Sequence, residues 1–265
     1  MLVCRPLEDA GFVNAFSTRL GGVSLFPFND LNLAGYSEDT RENIEENRRR
    51  FLAAIGGDFR LTTVWQVHGD TVKTVDSDQT VADSEDRADA LISNLNSVLV
   101  GVKTADCVPV LVSDPQSGAF AAIHAGWRGT VQSIVSKAIE SMTAKYGSKP
   151  SDLIAAVGPA ASCRMYEVGH DVIDAFAASF ELSERYFMPK PNGQAYVDLH
   201  SANHDQLTSL GVLDENIYIA PLCTMERTDL FFSYRAEKER YGRTGRLMSV
   251  IGRKHRRCSS NAPLR

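Results

Sequence analysis

Long apolar stretches are absent from this sequence. The longest runs, at 97–102 and 107–112, are only as long as a β-strand, whereas a membrane-spanning helix needs roughly 18 apolar residues. The acidic pair Glu8-Asp9 stands where a signal peptide would have its apolar segment. We therefore expect a cytoplasmic protein with no membrane partner.

An excess of positive charge is absent too. The 28 lysines and arginines are outnumbered by 33 aspartates and glutamates, and the formal net charge of −5 argues against a nucleic-acid partner. A basic cluster at 253–257 lies in the polar carboxyl-terminal segment, where it is either solvated or makes an electrostatic contact. We predict one catalytic domain over 1–252, a polar tail over 253–265, and a monomer.

Closely spaced cysteines are also missing. The five cysteines are scattered and odd in number, and none belongs to a C-x-x-C pair. In a cytoplasmic chain such cysteines are free thiols, each available as a core residue, a metal ligand or a nucleophile.

The sequence does contain the periodicity of an α+β protein. Apolar residues spaced three and four apart predict four helices, the first of which opens with a capping box of Asp39 and Glu42. The predicted helices cover about 39–55, 130–146, 167–180 and 198–210. Short β-rich runs predict strands at 12–16, 62–67, 71–75, 90–92, 98–103, 108–112, 119–123, 153–157, 216–220, 230–232 and 247–251.

Several predicted strands follow one another without a helix between them, which argues against a doubly wound parallel sheet. We predict an α+β sandwich of mixed sheets covered by helices. Pro109 falls in the strand predicted at 108–112, and because proline has no N–H to donate, we expect an edge strand or a bulge there.

Three reactive side chains lie where predicted strands end. His68 occupies a predicted turn, Cys107 separates two strands, and His124 stands between a strand and a helix. Imidazole and thiolate are usual zinc ligands, and three of them leave a fourth position for water or substrate. The spacing alone leaves two other interpretations open: unrelated core or surface residues, or a metal-free pair with Cys107 as nucleophile and His124 as base.

Seven motifs stand in order along nearly the whole chain. They are FSTRLGGVS at 16–24, QVHGD at 66–70, ADALIS at 88–93, TADCVPV at 104–110, AIHAGWRG at 122–129, YEVG at 166–169 and FFSYR at 231–235. Together they closely resemble the YfiH family, also known as the laccase-domain or multicopper polyphenol oxidase family, whose members are described as purine nucleoside phosphorylases.

The resemblance implies an α/β/β/α sandwich related to toxin-type cysteine deamidases. It implies a bound metal, zinc with copper as the alternative, on His68, Cys107 and His124. It also implies purine nucleosides and phosphate as partners, in phosphorolysis of adenosine, inosine, guanosine and methylthioadenosine, together with deamination of adenosine.

Four further residues are candidates for this chemistry. Arg19 lies in a glycine-rich turn and is either a phosphate ligand or a surface residue of that turn. Arg128 either contacts substrate or stabilises its own loop. Zinc nucleobase deaminases carry H-x-E and P-C-x-x-C motifs that do not occur here, so another carboxylate must move the proton. Asp106 and Asp89 are candidates for that role, for orienting a ligand histidine, or for capping backbone.

Two other enzymatic functions compete with phosphorolysis. A copper-dependent polyphenol oxidase needs a histidine-rich trinuclear cluster, which six scattered histidines cannot supply. A cysteine amidase or hydrolase that edits peptidoglycan precursors would use Cys107 and His124. A binding protein without turnover is the remaining alternative.

Overall fold

The computed structural model describes residues 1–35, 39–81 and 83–253. Within this part of the chain there are seven α-helices: α1 Arg5–Asp9, α2 Arg41–Ile55, α3 Trp127–Val131, α4 Ile134–Tyr146, α5 His170–Ser179, α6 Leu199–Ser209 and α7 Tyr234–Tyr241. The strands are β1 Phe12–Phe16, β2 Arg60–Trp65, β3 Val72–Val75, β4 Asp83–Arg87, β5 Ala90–Ser93, β6 Val98–Thr104, β7 Val108–Ser113, β8 Phe120–Ala125, β9 Ile154–Val157, β10 Glu167–Val168, β11 Phe187–Pro189, β12 Ala195–Val197, β13 Ile217–Ile219 and β14 Leu247–Arg253.

The strands form three sheets. A five-stranded sheet has the order β1-β14-β6-β2-β4, a six-stranded sheet has the order β13-β9-β7-β8-β5-β3, and a small sheet has the order β10-β12-β11. Both large sheets are mixed, since β2 pairs parallel with β6 and β3 parallel with β5, whereas β7, β8 and β14 pair antiparallel with their neighbours. The prediction of mixed sheets is confirmed.

Alternating side chains make each large sheet apolar on both faces. Along β6, Val98, Val100 and Val102 point between the two large sheets, and Leu99 points the other way, toward Phe51 of α2. The five-stranded sheet is therefore covered by α2 on one face and by the six-stranded sheet on the other.

The six-stranded sheet shows the same alternation. Leu111 of β7 packs between the sheets, and Val110 and Val112 pack on the outer face with Val135 and Ile139 of α4. Residues of α5 and α6 belong to the same outer cluster. The layers are thus helix, sheet, sheet and helices, and the α/β/β/α sandwich is confirmed.

Two predicted helices begin at the wrong residue. The helix predicted over 130–146 is two helices, because Ser133 adopts a left-handed conformation with φ 61° between α3 and α4. The helix predicted from 167 starts at His170, since Glu167 and Val168 pair with β12 instead. The first helix is capped by Thr40, whose hydroxyl accepts from the N–H of Asn43.

Two strand predictions are also wrong. The segment 230–232 is not a strand. Pro109 lies in β7, which has β9 on one side and β8 on the other, so it is not on an edge. Pairing of β7 with β9 begins at Val110, and the carbonyl of Pro109 accepts the N–H of Gly158 beyond that end. The N–H that proline lacks is therefore not needed for any hydrogen bond between β7 and β9.

The predicted polar tail, 253–265, lies outside the described residues apart from Arg253. That residue ends β14 and donates from its guanidinium to the side-chain oxygen of Asn96, 3.1 Å away. In the described ranges, every helix is too short or too polar to traverse a lipid bilayer.

Candidate metal centre

Two neighbouring strands of the six-stranded sheet bring Cys107 and His124 together. Cys107 immediately precedes β7, and His124 is the last residue but one of β8. Val108 pairs with Ala125, so the start of β7 lies beside the end of β8. His68 reaches the same place from the connection between β2, in the five-stranded sheet, and β3, in the six-stranded sheet.

The three side chains form a possible metal site. One ligand atom from each of His68, Cys107 and His124 lies within 4.8 Å of the others. The two imidazole rings are nearly perpendicular, with an interplanar angle of 84°. His124 is 3% exposed whereas His68 is exposed, so the group is buried on one side and open on the other. Two nitrogens and one thiolate suit zinc and leave a position for a further ligand.

Asp89 holds both histidines of this group. Its Oδ1 lies 2.8 Å from Nδ1 of His124, which leaves Nε2 of that ring for a metal ion. The same carboxylate accepts the main-chain N–H groups of Val67, His68 and Gly69 at 3.2, 2.9 and 2.7 Å. Asp89 is fully buried. The structure thus places it where it orients ligands, one of the roles predicted for it.

The electrostatics of the group favour a thiolate. Burial alone would raise the pKa of the Cys107 thiol, but the charges and hydrogen bonds of His124 and His68 lower it to about 6. Burial works against protonation of His124, and the neighbouring Cys107 and Asp89 overcome it and raise its pKa to about 9. These shifts favour a thiolate beside an imidazolium near neutral pH in the metal-free protein.

Asp106, which precedes the thiol of Cys107, forms hydrogen bonds with two segments distant in the sequence. It adopts a positive φ of 88° directly before Cys107. Its Oδ1 accepts the hydroxyl of Thr224 at 2.7 Å, and its Oδ2 accepts the main-chain N–H of Arg235 at 2.7 Å. Burial raises the pKa of this carboxyl, and the hydrogen bonds from Arg235 and Thr224 oppose the rise. Asp106 therefore ties the segment before Cys107 to the start of α7.

Gly126 allows the ligands to approach one another. A Cβ at this position would lie 3.0 Å from Sγ of Cys107 and 3.3 Å from Cδ2 of His68. Both distances are shorter than ordinary van der Waals contact. A residue with a side chain here would have to displace the thiol or the ring.

The group opens into a cavity of about 590 Å³. Its walls are aromatic and cationic, and they include Arg128, one of the two arginines singled out from the sequence. The lining residues are Gly35, Trp65, Gln66, His68, Lys103, Thr104, Ala105, Asp106, Cys107, His124, Trp127, Arg128, Tyr166, Tyr234, Arg235 and Arg246. A cavity of this size and composition suits a small polar molecule with an aromatic ring.

The structure does not bring Arg19 to this cavity. Its guanidinium lies 2.7 Å from the carboxylate of Glu237, and the two side chains are only 11% and 8% exposed. It also donates to the carbonyls of Asn29 and Thr228 and lies over the ring of Phe232. These contacts explain Arg19 as a buried residue that joins distant segments, and they leave it unavailable as a phosphate ligand.

Several cavity residues were missed as individual candidates. Lys103 lies near the end of β6, where nothing in the sequence marks a cation as functional. Tyr166 and Arg235 belong to two of the motifs that carry the family resemblance, YEVG and FFSYR. Those motifs were the available signal for both residues.

Comparison with known proteins supports one family. Residues 13–254 match the model of a family described as "Multi-copper polyphenol oxidoreductase laccase". The chain is 39% identical over 242 residues to a protein named "Purine nucleoside phosphorylase" from Deinococcus radiodurans, covering 90% of this chain and 88% of that protein. It is 35% identical over 247 residues to "Purine nucleoside phosphorylase YfiH" from Escherichia coli, covering 92% and 95%.

Solved structures show the same fold. A protein from Bacillus licheniformis described as "hypothetical protein YfiH" superposes with a TM-score of 0.89 at 29% identity, covering 96% of each chain. YlmD from Geobacillus stearothermophilus superposes with a TM-score of 0.86 at 31% identity, covering 93% of each chain.

Proposed function

Because the chain belongs to the multi-copper polyphenol oxidoreductase laccase family, we propose that it is a zinc-dependent purine nucleoside phosphorylase. Its substrates are adenosine, inosine, guanosine and methylthioadenosine, and it also deaminates adenosine. The convergence of His68, Cys107 and His124 at the floor of an open cavity supports this function most directly. Relatives that bear the name purine nucleoside phosphorylase support the class of reaction.

Zinc suits the donor set better than a multicopper centre does. His68, Cys107 and His124 would hold the ion, which when bound supplies a Lewis acid at the cavity floor. Among the described residues, no other trio of candidate ligand side chains is brought together. His200 is hydrogen-bonded to the carbonyl of Gly158, and His204 to Asp214, so neither adds to a copper cluster. These contacts argue against a polyphenol oxidase.

The cavity walls supply what a nucleoside requires. Trp65, Tyr166 and Tyr234 are aromatic residues of the lining, and a purine base can pack against aromatic side chains. Among the residues that line this described cavity, Asp106 is the one carboxylate, and we assign to it the proton transfer of adenosine deamination. Asp89 is buried behind His124 and orients the ligands instead.

Incubation with inosine, with and without phosphate, tests the proposal. Free hypoxanthine is followed by chromatography on protein that contains zinc. We expect hypoxanthine to appear only when phosphate is present, together with ribose 1-phosphate. Release of base at the same rate without phosphate would indicate a hydrolase, and no release from any of the four nucleosides would reject the function.

A cysteine hydrolase is a second candidate because one observation favours it. The Cys107 thiolate, the His124 imidazolium and the Asp89 carboxylate follow one another as nucleophile, the base that has taken its proton, and orienting group. Such an enzyme needs no metal. Inactivation by a thiol alkylator with no loss on chelation identifies the hydrolase, whereas inactivation by a zinc chelator that added zinc reverses identifies the metal enzyme.

A further inference from the structure

A second cavity adjoins the one that holds the metal-binding group. It measures about 320 Å³ and is lined by Trp127, Arg128, Tyr166, Glu167, Val168, Gly169, Asp171, Val172, Gln194 and Arg235. Four residues line both cavities, namely Trp127, Arg128, Tyr166 and Arg235. The two spaces therefore meet at a shared wall that carries two guanidinium groups.

The two arginines of the shared wall form no close ion pair among the described residues. Arg235 donates from Nη1 to the main-chain carbonyl of Glu167 at 2.8 Å, and its guanidinium lies 5.1 Å from the ring centre of Tyr166. Arg128 lies over the ring of Trp127 at 4.2 Å. Neither is ion-paired with any carboxylate in the part of the chain that the structure describes. Both retain donors that can form hydrogen bonds to an anion.

The acidic residues of the smaller cavity have other partners or roles. The carboxylate of Glu167 lies 2.6 Å from the ammonium of Lys190, which neutralises it. Asp171 stands in the first turn of α5, where a carboxylate stabilises the helix by interacting with its dipole. The four residues of the shared wall themselves include two guanidinium groups and no carboxylate.

We propose that Arg235 and Arg128 bind the phosphate co-substrate at the wall shared by the two cavities, with the nucleoside in the larger one. This inference rests on the proposed phosphorylase function. Each guanidinium group offers several N–H donors in a planar fork that matches phosphate oxygens. Arg235 takes the role that the sequence suggested for Arg19.

The reaction balances with these components. An oxygen of HPO₄²⁻ forms a bond to C1′ of the ribose while the bond from C1′ to N9 of the base breaks. The base leaves with the electron pair of that bond and receives the hydrogen of HPO₄²⁻. The products are ribose 1-phosphate and free purine. The role of the arginines is to hold the phosphate beside the sugar, since positioning supplies much of such a rate enhancement.

Asp106 fixes the backbone of Arg235, while the exposed side chain of Arg235 is held by its hydrogen bond to the carbonyl of Glu167. The main-chain N–H of Arg235 donates to Oδ2 of Asp106, and Asp106 directly precedes Cys107. The start of α7 is thereby fixed relative to the metal-binding group. A substitution of the Arg235 side chain leaves this main-chain bond in place, so the variant should fold.

Steady-state kinetics of Arg235→Met test the proposal. We expect the KM for phosphate to rise about tenfold or more, because a hydrogen bond to a charged group is lost. The KM for inosine should change less than twofold, and the zinc content should not change. Arg235→Lys should recover part of the loss. Arg240→Met, on the same helix but outside both cavities, is the matched control and should behave as the unaltered protein.

An unchanged KM for phosphate, or a rise confined to the KM for inosine, would overturn the inference while leaving the phosphorylase function intact. If the unaltered protein does not cleave inosine, calorimetric titration with inorganic phosphate decides the inference separately. Zinc-loaded protein should then bind phosphate, and Arg235→Met should bind it about tenfold more weakly. Equal binding by both, or binding by neither, overturns the inference.

Discussion

The carboxylate of Asp89 contacts the His124 ring and the backbone of the His68 turn at the same time. Its Oδ1 lies 2.8 Å from Nδ1 of His124 and 2.9 Å from the main-chain nitrogen of His68. One buried group therefore fixes a ligand on β8 and the turn that carries the ligand between β2 and β3. Their arrangement is built into the protein before a metal binds.

Asp89→Asn should weaken metal binding about 10- to 100-fold, the usual loss when a partner of a ligand histidine is removed. The amide cannot accept all four hydrogen bonds, and its NH₂ group would face N–H donors. The affinity is measured by competition with a coloured chelator, and circular dichroism verifies the fold.

Asp70→Asn is the control for this change. Asp70 follows the same turn but contacts Lys137 at the surface, so its loss should leave metal affinity within about twofold. An Asp89→Asn protein with unaltered affinity would show that the carboxylate has no orienting role.

Metal-free protein should alkylate at Cys107 with a midpoint near pH 6. The folded pKa of about 6 lies below the usual thiol value, so the reactive thiolate is present above pH 6 and is lost as the pH falls through that value. His124→Gln removes the main charge that lowers the pKa and should move the midpoint upward. Mass spectrometry of the Cys107 peptide, after brief exposure to iodoacetamide, gives the rate. A midpoint near 8.5 in the unaltered protein contradicts the described pair.

Gly126→Ala should lower metal affinity by about tenfold or more, as expected when ligand placement is disturbed. The added methyl would lie 3.0 Å from the thiol sulfur and force it or His68 away. Gly35→Ala is the matched control, since a methyl there meets no atom of the described residues within 4 Å although Gly35 also lines the cavity. Equal affinities of the two variants would rule out a steric role for Gly126.

Arg19→Met should lower the free energy of unfolding by about 3 kcal/mol, because it leaves Glu237 buried without its partner. Denaturant titration measures the change. The KM for phosphate should stay within twofold in the folded variant. Arg5→Met, which removes an exposed ion pair, should leave stability nearly unchanged. A rise in the KM for phosphate in Arg19→Met would show that Arg19 contributes to phosphate binding.

The periodicity of the sequence predicted most strands, because their inward side chains follow the pleat. It could not show that His68, Cys107 and His124 converge. That convergence depends on pairing between β7 and β8 and on a connection that crosses from one sheet to the other. These are long-range contacts, and spacing along the chain does not encode them.

Predictions from the sequence were wrong in two situations. In one, a polar side chain pairs with a residue far away in the sequence; in the other, the backbone adopts a rare conformation. Arg19 and Glu237 are 218 residues apart, so their ion pair could not be predicted from the sequence. Ser133 separates two helices although the apolar periodicity continues on both sides of it. That periodicity shows which face of a helix is buried, and it does not reveal a single residue with a left-handed backbone.

We propose that His68, Cys107 and His124 bind one zinc ion and that nucleoside phosphorolysis requires this ion. The most direct test measures zinc by mass spectrometry and inosine phosphorolysis in the same samples of unaltered protein and Cys107→Ala. We predict about one zinc ion per chain and phosphate-dependent release of hypoxanthine in the unaltered protein, and loss of both in the variant. A zinc-free Cys107→Ala protein that retains full phosphorolysis would contradict the claim.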